Sequence, residues 1–139
     1  MKIEVREGNF YYAKNKREVK PFIYESNINF TLESGKIMAI LGPNGDGKTT
    51  LLKCITGLHD WKIGETYIDD VPLKKIADKE MWKRIGYVPQ AHKMVFGFSI
   101  EDLVVMGRAP YISSLSKPRK KDYEKAHEAL EEVGIAHLA

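Results

Sequence analysis

The chain has 139 residues, which is enough for one domain that buries about two-thirds of its unfolded surface. Its net charge of +3, from 22 Lys and Arg against 19 Asp and Glu, is too small to indicate a nucleic-acid partner. The single Cys54 excludes an internal disulfide. No segment approaches the roughly 20 consecutive apolar residues that span a bilayer, so we expect a cytosolic protein.

The N-terminal third of the chain predicts two strands. A first strand is predicted over residues 2–12, and a charged loop over residues 13–21. Ile28, Phe30 and Leu32 alternate with polar residues, which predicts a second strand with one buried face.

The most informative motif is a glycine, four residues, a second glycine, a lysine and a threonine, which is the pattern of a phosphate-binding loop. Its residues are Gly42, Pro43, Asn44, Gly45, Asp46, Gly47, Lys48 and Thr49. The three glycines allow left-handed backbone that turns N–H groups inward around an anion. We expect the Lys48 ammonium to contact the β- and γ-phosphates of a nucleotide and the Thr49 hydroxyl to ligate its Mg²⁺.

The segments on either side of the motif fit this interpretation, because a phosphate loop needs a buried strand before it and a helix after it. Residues 37–41 are all apolar, which predicts a parallel strand covered on both faces. Residues 50–58 predict a helix whose apolar face holds three leucines and Ile55, and whose N-terminal end adds partial positive charge. A glycine-rich turn without a ligand needs no lysine followed by two threonines. Cys54 in this helix is interpreted as a buried, inert thiol.

The sequence in the middle of the chain predicts two short strands and one helix. Residues 65–68 read as a strand that ends in a hairpin turn at Asp69 and Asp70. A helix is predicted over residues 78–85 and a short buried strand over residues 86–88.

The C-terminal part of the chain predicts helices. Ser99 is placed to cap a helix over residues 100–106, with Asp102 three residues further on. Another helix has one apolar face and stops at Gly134; that face comprises Tyr123, Ala126, Leu130 and Val133. The basic run at residues 117–121 is interpreted as a solvated helix end, since acidic residues follow it. The histidines have no metal-ligand spacing and are interpreted as surface or packing residues; they are His59, His92, His127 and His137.

The motifs taken together resemble the front portion of an ATP-binding-cassette (ABC) ATPase, the nucleotide-binding subunit of an ABC transporter. Residues 86–90, which end in Pro89 and Gln90, resemble the Q-loop of that family. Tyr12 resembles the aromatic residue that stacks on adenine, although the adjacent Tyr11 remains an alternative. Residues 104–111 and 129–139 are similar to the importers of iron–siderophore, haem and cobalamin complexes.

The resemblance implies an α/β fold of the P-loop NTPase type, with a RecA-like core, an antiparallel β subdomain and a helical subdomain. Residues 1–139 would be the N-terminal part of one ABC domain, a truncated form. Residues 1–95 would supply the β subdomain and phosphate-loop core, and residues 96–139 the start of the helical subdomain.

The resemblance also implies a site for ATP and Mg²⁺. The implied ATP-binding residues are Tyr12, Gly42, Pro43, Asn44, Gly45, Asp46, Gly47, Lys48, Thr49, Thr50 and Gln90. Thr49 and Gln90 would contact the Mg²⁺. Asp46 would repel a triphosphate unless its carboxylate points to solvent, and the sequence leaves its direction open.

The implied function is to couple ATP binding and hydrolysis to substrate import. The intact subunit would act as a dimer with a second ATP-binding subunit, docked on two permease subunits at the cytoplasmic face of the membrane. It would contact neither nucleic acid nor the transported substrate. Two alternatives remain open: a non-enzymatic nucleotide-binding fragment, and a soluble ABC-type ATPase that is not a transporter. A phosphate-loop kinase or GTPase is more distant, because the setting of Gln90 argues against it.

Several motifs of the family would lie downstream of Ala139. They are the signature sequence, the Walker B aspartate, the catalytic glutamate and the switch histidine. We therefore expect no catalytic residue within this chain. The strand at residues 37–41 would also keep an unpaired apolar edge, which favours aggregation.

The 139-residue chain alone is expected to bind nucleotide weakly or not at all and to turn it over negligibly, because hydrolysis requires an oriented water and neutralised transition-state charge. Phosphate release from ATP should equal that of a Lys48→Ala variant. Release well above this variant would contradict the expectation.

Overall fold

The computed structural model describes residues 1–11, 25–90, 97–113 and 116–139. The chain forms two compact units, Met1–Ala77 and Asp78–Ala139. None of the helices in the described parts of the chain is long and apolar enough to cross a bilayer.

The first unit contains an antiparallel sheet with the strand order β2-β1-β3-β4. The strands are β1 (Lys2–Phe10), β2 (Glu25–Glu33), β3 (Ile63–Ile68) and β4 (Val71–Pro72). Val5 of β1 lies opposite Phe30 of β2 and Thr66 of β3. The alternation predicted for the second strand is confirmed, since Ile28, Phe30 and Leu32 are half-buried between exposed polar neighbours.

The β1 strand bulges where it crosses Gly64 of β3. The register shifts between Arg6 and Asn9, and Glu7 has a positive φ of 52°. Gly64 has φ 79°, and a Cβ at this position would lie 2.2 Å from the Glu7 carbonyl oxygen. Only glycine therefore allows the two backbones to approach this closely.

The hairpin turn predicted at Asp69 and Asp70 is confirmed. Both residues have positive φ, 50° and 64°, as in the two-residue turn that matches the twist of paired strands. The Asp69 carboxylate accepts a 2.7 Å hydrogen bond from the Lys2 backbone N–H, and the Asp70 carboxylate accepts a 2.8 Å bond from Lys2 Nζ.

Helix α1 (Lys48–Ile55) packs on this sheet. The core of the unit consists of the buried side chains of Val5, Phe10, Leu51, Cys54, Ile55 and Trp61. Trp61 donates a buried 2.9 Å hydrogen bond to the Thr66 hydroxyl, so its indole N–H is satisfied inside the core. The prediction that Cys54 is buried is confirmed.

The prediction for the helix after the motif was partly wrong. α1 begins at Lys48 and ends at Ile55, with Gly57 in left-handed conformation (φ 73°) just beyond it. Leu52 and Leu58 are exposed rather than buried. The helix is too short for its face to extend to Leu58, and its buried residues are Thr50, Leu51, Cys54 and Ile55.

The prediction of a buried strand over residues 37–41 was wrong. The segment is irregular, and the exposed fraction is 99% for Ile37 and 89% for Leu41. Within the described residues no strand pairs with it, and an apolar run becomes a buried strand only where neighbouring strands supply hydrogen bonds. Ile40 alone packs against the core, half-buried.

The second unit is helical. Its helices are α2 (Asp78–Met81), α3 (Ile100–Met106) and α4 (Lys120–Glu132). The cap predicted at Ser99 is confirmed, because its hydroxyl accepts a 3.1 Å hydrogen bond from the Asp102 backbone N–H. α2 is shorter than the predicted helix over residues 78–85.

Two further predictions in this unit were wrong. Residues 86–88 form no strand, and Val88 is 93% exposed, because no described strand lies beside them. Ala126 and Leu130 of α4 are buried as predicted, but Tyr123 and Val133 are exposed. Only the central part of the predicted apolar face of α4 is therefore buried.

A buried ion pair joins the segment after α3 to α4. Asp122 is 2% exposed, and its carboxylate accepts a 3.0 Å hydrogen bond from the Arg119 backbone N–H and a 3.4 Å bond from Arg108 Nε. The Arg108 guanidinium also lies over the Tyr111 ring, 4.1 Å from its centroid. The basic run at residues 117–121 is exposed, as predicted for a solvated helix end, whereas Asp122, which follows it, points inward.

This pair makes the stability of the second unit depend on pH. The Arg119 N–H and the Arg108 guanidinium together hold the pKa of Asp122 below its ordinary value of 3.8, against the opposing effect of burial. The stabilisation is present above pH 3.8 and is lost as the pH falls below it. Asp122→Asn should lower the melting temperature by several degrees at pH 7, and this difference should shrink on acidification, as circular dichroism can measure. Glu124→Gln, on an exposed position of α4, should lower it little at any pH.

The exposed apolar segment at residues 37–41 should make the chain self-associate. Exchanging Ile37 and Leu41 together for serine should increase the monomeric fraction in size-exclusion chromatography with light scattering, because both side chains leave apolar surface in water. Leu52→Ser, a less exposed leucine on α1, is the matched control. A wild-type chain that elutes as a stable monomer would contradict this prediction.

Candidate phosphate-binding site

The glycines of the motif shape the loop that precedes α1. Gly45 has φ 93° and Gly47 has φ 97°, conformations that side-chain-bearing residues rarely adopt. Gly42 does not have a positive φ, so our expectation that all three glycines use left-handed backbone was wrong for this one. The turn at residues 44–47 is thus made by the second and third glycines.

The N-terminal end of α1 faces this loop. Gly47 is the N-cap residue and provides no side chain to cap the helix, and its carbonyl accepts the first helical bond, 2.8 Å from the Leu51 N–H. The first turn holds no acidic residue. The partial positive charge of the helix end is therefore not neutralised by its own first turn.

Lys48 reaches back across the loop. Its ammonium donates hydrogen bonds to the Gly42 carbonyl at 2.7 Å and the Pro43 carbonyl at 2.5 Å. The positive charge of Lys48 is thereby held at the start of the loop, on the same turn of chain as the glycines. Sequence reasoning missed these acceptors, because backbone carbonyls leave no signal in a residue pattern.

The two threonines after Lys48 differ in exposure. Thr49 is exposed and Thr50 is buried. An exposed hydroxyl beside Lys48 fits the role of Mg²⁺ ligand, because Mg²⁺ keeps several waters and is usually held by few protein atoms together with substrate phosphates. The described residues contain no cluster of three His, Cys, Asp or Glu side chains that could hold a metal ion.

Asp46 is exposed, but its side chain is not directed away from the loop. Its Oδ2 lies 3.2 Å from the position that a Cβ on Gly42 would take. The carboxylate thus sits beside the residue whose carbonyl holds Lys48.

Of the remaining predicted ATP contacts, three lie along the loop and the others lie outside it. Gln90 is exposed and follows the irregular segment at residues 86–89, in the second unit. Tyr11 is described and half-buried, whereas Tyr12 lies outside the described residues. Pro43, Asn44 and Gly45 are exposed along the loop.

The chain is similar in sequence to ATP-binding proteins of ABC transporters. The family described as ABC transporter matches residues 26–139. The molybdate import ATP-binding protein MolC of Haemophilus influenzae is 36% identical over 133 residues, which cover 95% of this chain and 44% of that protein. The ferric enterobactin transport ATP-binding protein FepC of Escherichia coli is 34% identical over 113 residues, which cover 81% of this chain and 42% of that protein.

The fold is similar as well. A bacterial ABC transporter cassette solved as a dimer superposes with a TM-score of 0.74 at 26% identity, and the alignment covers 93% of this chain and 56% of that one. The chain spans less than half the length of the two curated relatives. Because the family match extends over most of the sequence, this chain belongs to the ABC transporter family and corresponds to part of its ATP-binding subunit.

Proposed function

We propose that this chain forms the phosphate-binding part of the ATP site in a subunit that drives substrate import through a membrane permease. The observation that carries the proposal is the loop before α1, where two left-handed glycines, an uncapped helix end and the Lys48 ammonium come together. Each of these features favours an anion, and together they match the chemistry of a nucleotide polyphosphate.

Different groups of the loop would bind the phosphates and the Mg²⁺. Backbone N–H groups of the loop would surround the phosphates, and the Lys48 ammonium would exchange its two carbonyl partners for phosphate oxygens. The Thr49 hydroxyl would hold the Mg²⁺ that accompanies the nucleotide. The ion supplies charge neutralisation at the phosphates.

Two residues outside the loop complete the proposed site. Tyr12, or Tyr11 beside it, would stack on the adenine, since aromatic stacking tolerates small shifts in position. Gln90 would offer its side-chain oxygen to the Mg²⁺ and link nucleotide binding to the permease.

The proposed direction of transport is import, and the proposed cargo an iron chelate or related complex. Both parts of this proposal are supported by relatives named for import of molybdate and transport of ferric enterobactin. They are also supported by the resemblance of residues 104–111 to the importers of iron–siderophore, haem and cobalamin complexes. We further propose that the intact subunit works as a dimer at the cytoplasmic face of its membrane, as the dimeric form of the similar cassette suggests.

Nucleotide binding at the loop tests the proposal. Lys48→Ala should weaken the binding of Mg-ATP by at least about tenfold, because it removes the one side-chain cation placed on the loop, and a charge-assisted hydrogen bond contributes about 1.5–3 kcal/mol. Equilibrium dialysis with radiolabelled ATP measures the change directly, even for weak binding.

Lys53→Ala is the matched control. Lys53 lies in the last turn of α1, so its removal changes the net charge equally but leaves the loop intact. ATP binding that responds equally to both substitutions would contradict the proposed site.

A further inference from the structure

Asp46 places a negative charge inside a loop that is otherwise built for anions. Its Oδ2 approaches the position of a Gly42 Cβ to 3.2 Å, so the carboxylate lies over the start of the loop. The Lys48 ammonium donates hydrogen bonds to the carbonyls of the same Gly42 and of the adjacent Pro43. A phosphate that reaches Lys48 therefore also comes close to Asp46.

The Lys48 charge does not cancel the Asp46 charge by direct contact. Its ammonium donates to two backbone carbonyls, and within the described parts of the chain no ion pair involves Asp46. Asp46 is exposed, so water and salt screen its field but do not remove it.

We propose that Asp46 is an affinity-limiting residue of the phosphate loop, whose carboxylate repels the β- and γ-phosphates and weakens nucleotide binding. This inference rests on the proposed function of the loop. It assigns Asp46 a role opposite to that of Lys48: the lysine attracts the phosphates, and the aspartate sets an upper limit on how tightly they are held.

The strength of the effect follows from Coulomb's law. At a separation of about 7 Å in a water-like dielectric, two phosphate charges would repel a carboxylate enough to weaken binding roughly five- to tenfold at low salt. The repulsion falls with ionic strength, because the screening length shortens from about 30 Å at ~0.01 M to about 3 Å at ~1 M. AMP, which lacks the β- and γ-phosphates, should feel little of it.

The test is a comparison of Asp46→Asn with the wild-type chain by equilibrium dialysis against ATP, ADP and AMP, each without Mg²⁺, because the ion would neutralise the phosphate charges that Asp46 repels. Asp46→Asn should bind ATP about fivefold more tightly at ~0.01 M salt and less than about twofold more tightly at ~1 M salt. ADP should gain less than ATP, and AMP should not gain. Asp46→Glu, which keeps the charge, should behave as the wild type.

Asp60→Asn is the matched control for net charge. Asp60 is exposed and follows the far end of α1, which is about 12 Å long, so its removal should leave ATP binding unchanged. Equal ATP affinity of Asp46→Asn and wild type at low salt would overturn the proposal, as would an equal gain for AMP or for Asp60→Asn.

The same measurements distinguish failure of the proposed role of Asp46 from failure of the proposed function of the loop. If Asp46→Asn tightens binding and an added Lys48→Ala abolishes it, both the loop and the role of Asp46 stand. If ATP binds but Lys48→Ala has no effect in either background, the proposed function fails. If Lys48→Ala weakens binding while Asp46→Asn changes nothing, only the role of Asp46 fails.

Discussion

The contact between α1 and the sheet holds the phosphate loop in place, because the loop leads directly into the first turn of that helix. Leu51 and Ile55 point into the same core as Val5, and burial of each large apolar side chain contributes about 1.5–3 kcal/mol. An eight-residue helix is too short to be stable alone, so its stability comes from this packing. The geometry of the proposed anion site, at the N-terminal end of α1, thus depends on apolar contacts along one face of that helix.

Glycines reinforce this arrangement at two levels. Gly64 lets the β1 and β3 backbones approach closely where β1 bulges. Gly45 and Gly47 then turn the chain into the helix without strain. Glycine is therefore needed for two different reasons. At Gly64 it allows two backbones to approach closely, and at Gly45 and Gly47 it adopts left-handed backbone.

Features set by local chemistry were predictable from the sequence. The Ser99 cap and the bounds of α3 were confirmed to the residue, since a hydroxyl three residues before an acid defines a helix start by itself. The turn at Asp69 and Asp70 was likewise confirmed, and the motif identified the loop and its lysine.

Features set by distant partners were not predictable. The apolar run at residues 37–41 satisfies the pattern of a buried strand, yet burial requires paired neighbours that a pattern cannot supply. The burial of Asp122 was not predictable, because its partner Arg108 lies 14 residues away in another segment. Within the site, the direction of Lys48 toward two carbonyls and the position of Asp46 beside Gly42 depend on the folded path of the loop, which the motif pattern does not give.

The central claim is that the loop before α1 binds nucleotide phosphate. Amide chemical shifts of the ¹⁵N-labelled chain, recorded during titration with Mg-ATP, test it most directly. The account predicts the largest changes at Gly45, Gly47, Lys48 and Thr49, and their loss in Lys48→Ala. Changes confined to other parts of the chain, with the loop amides unmoved, would contradict it.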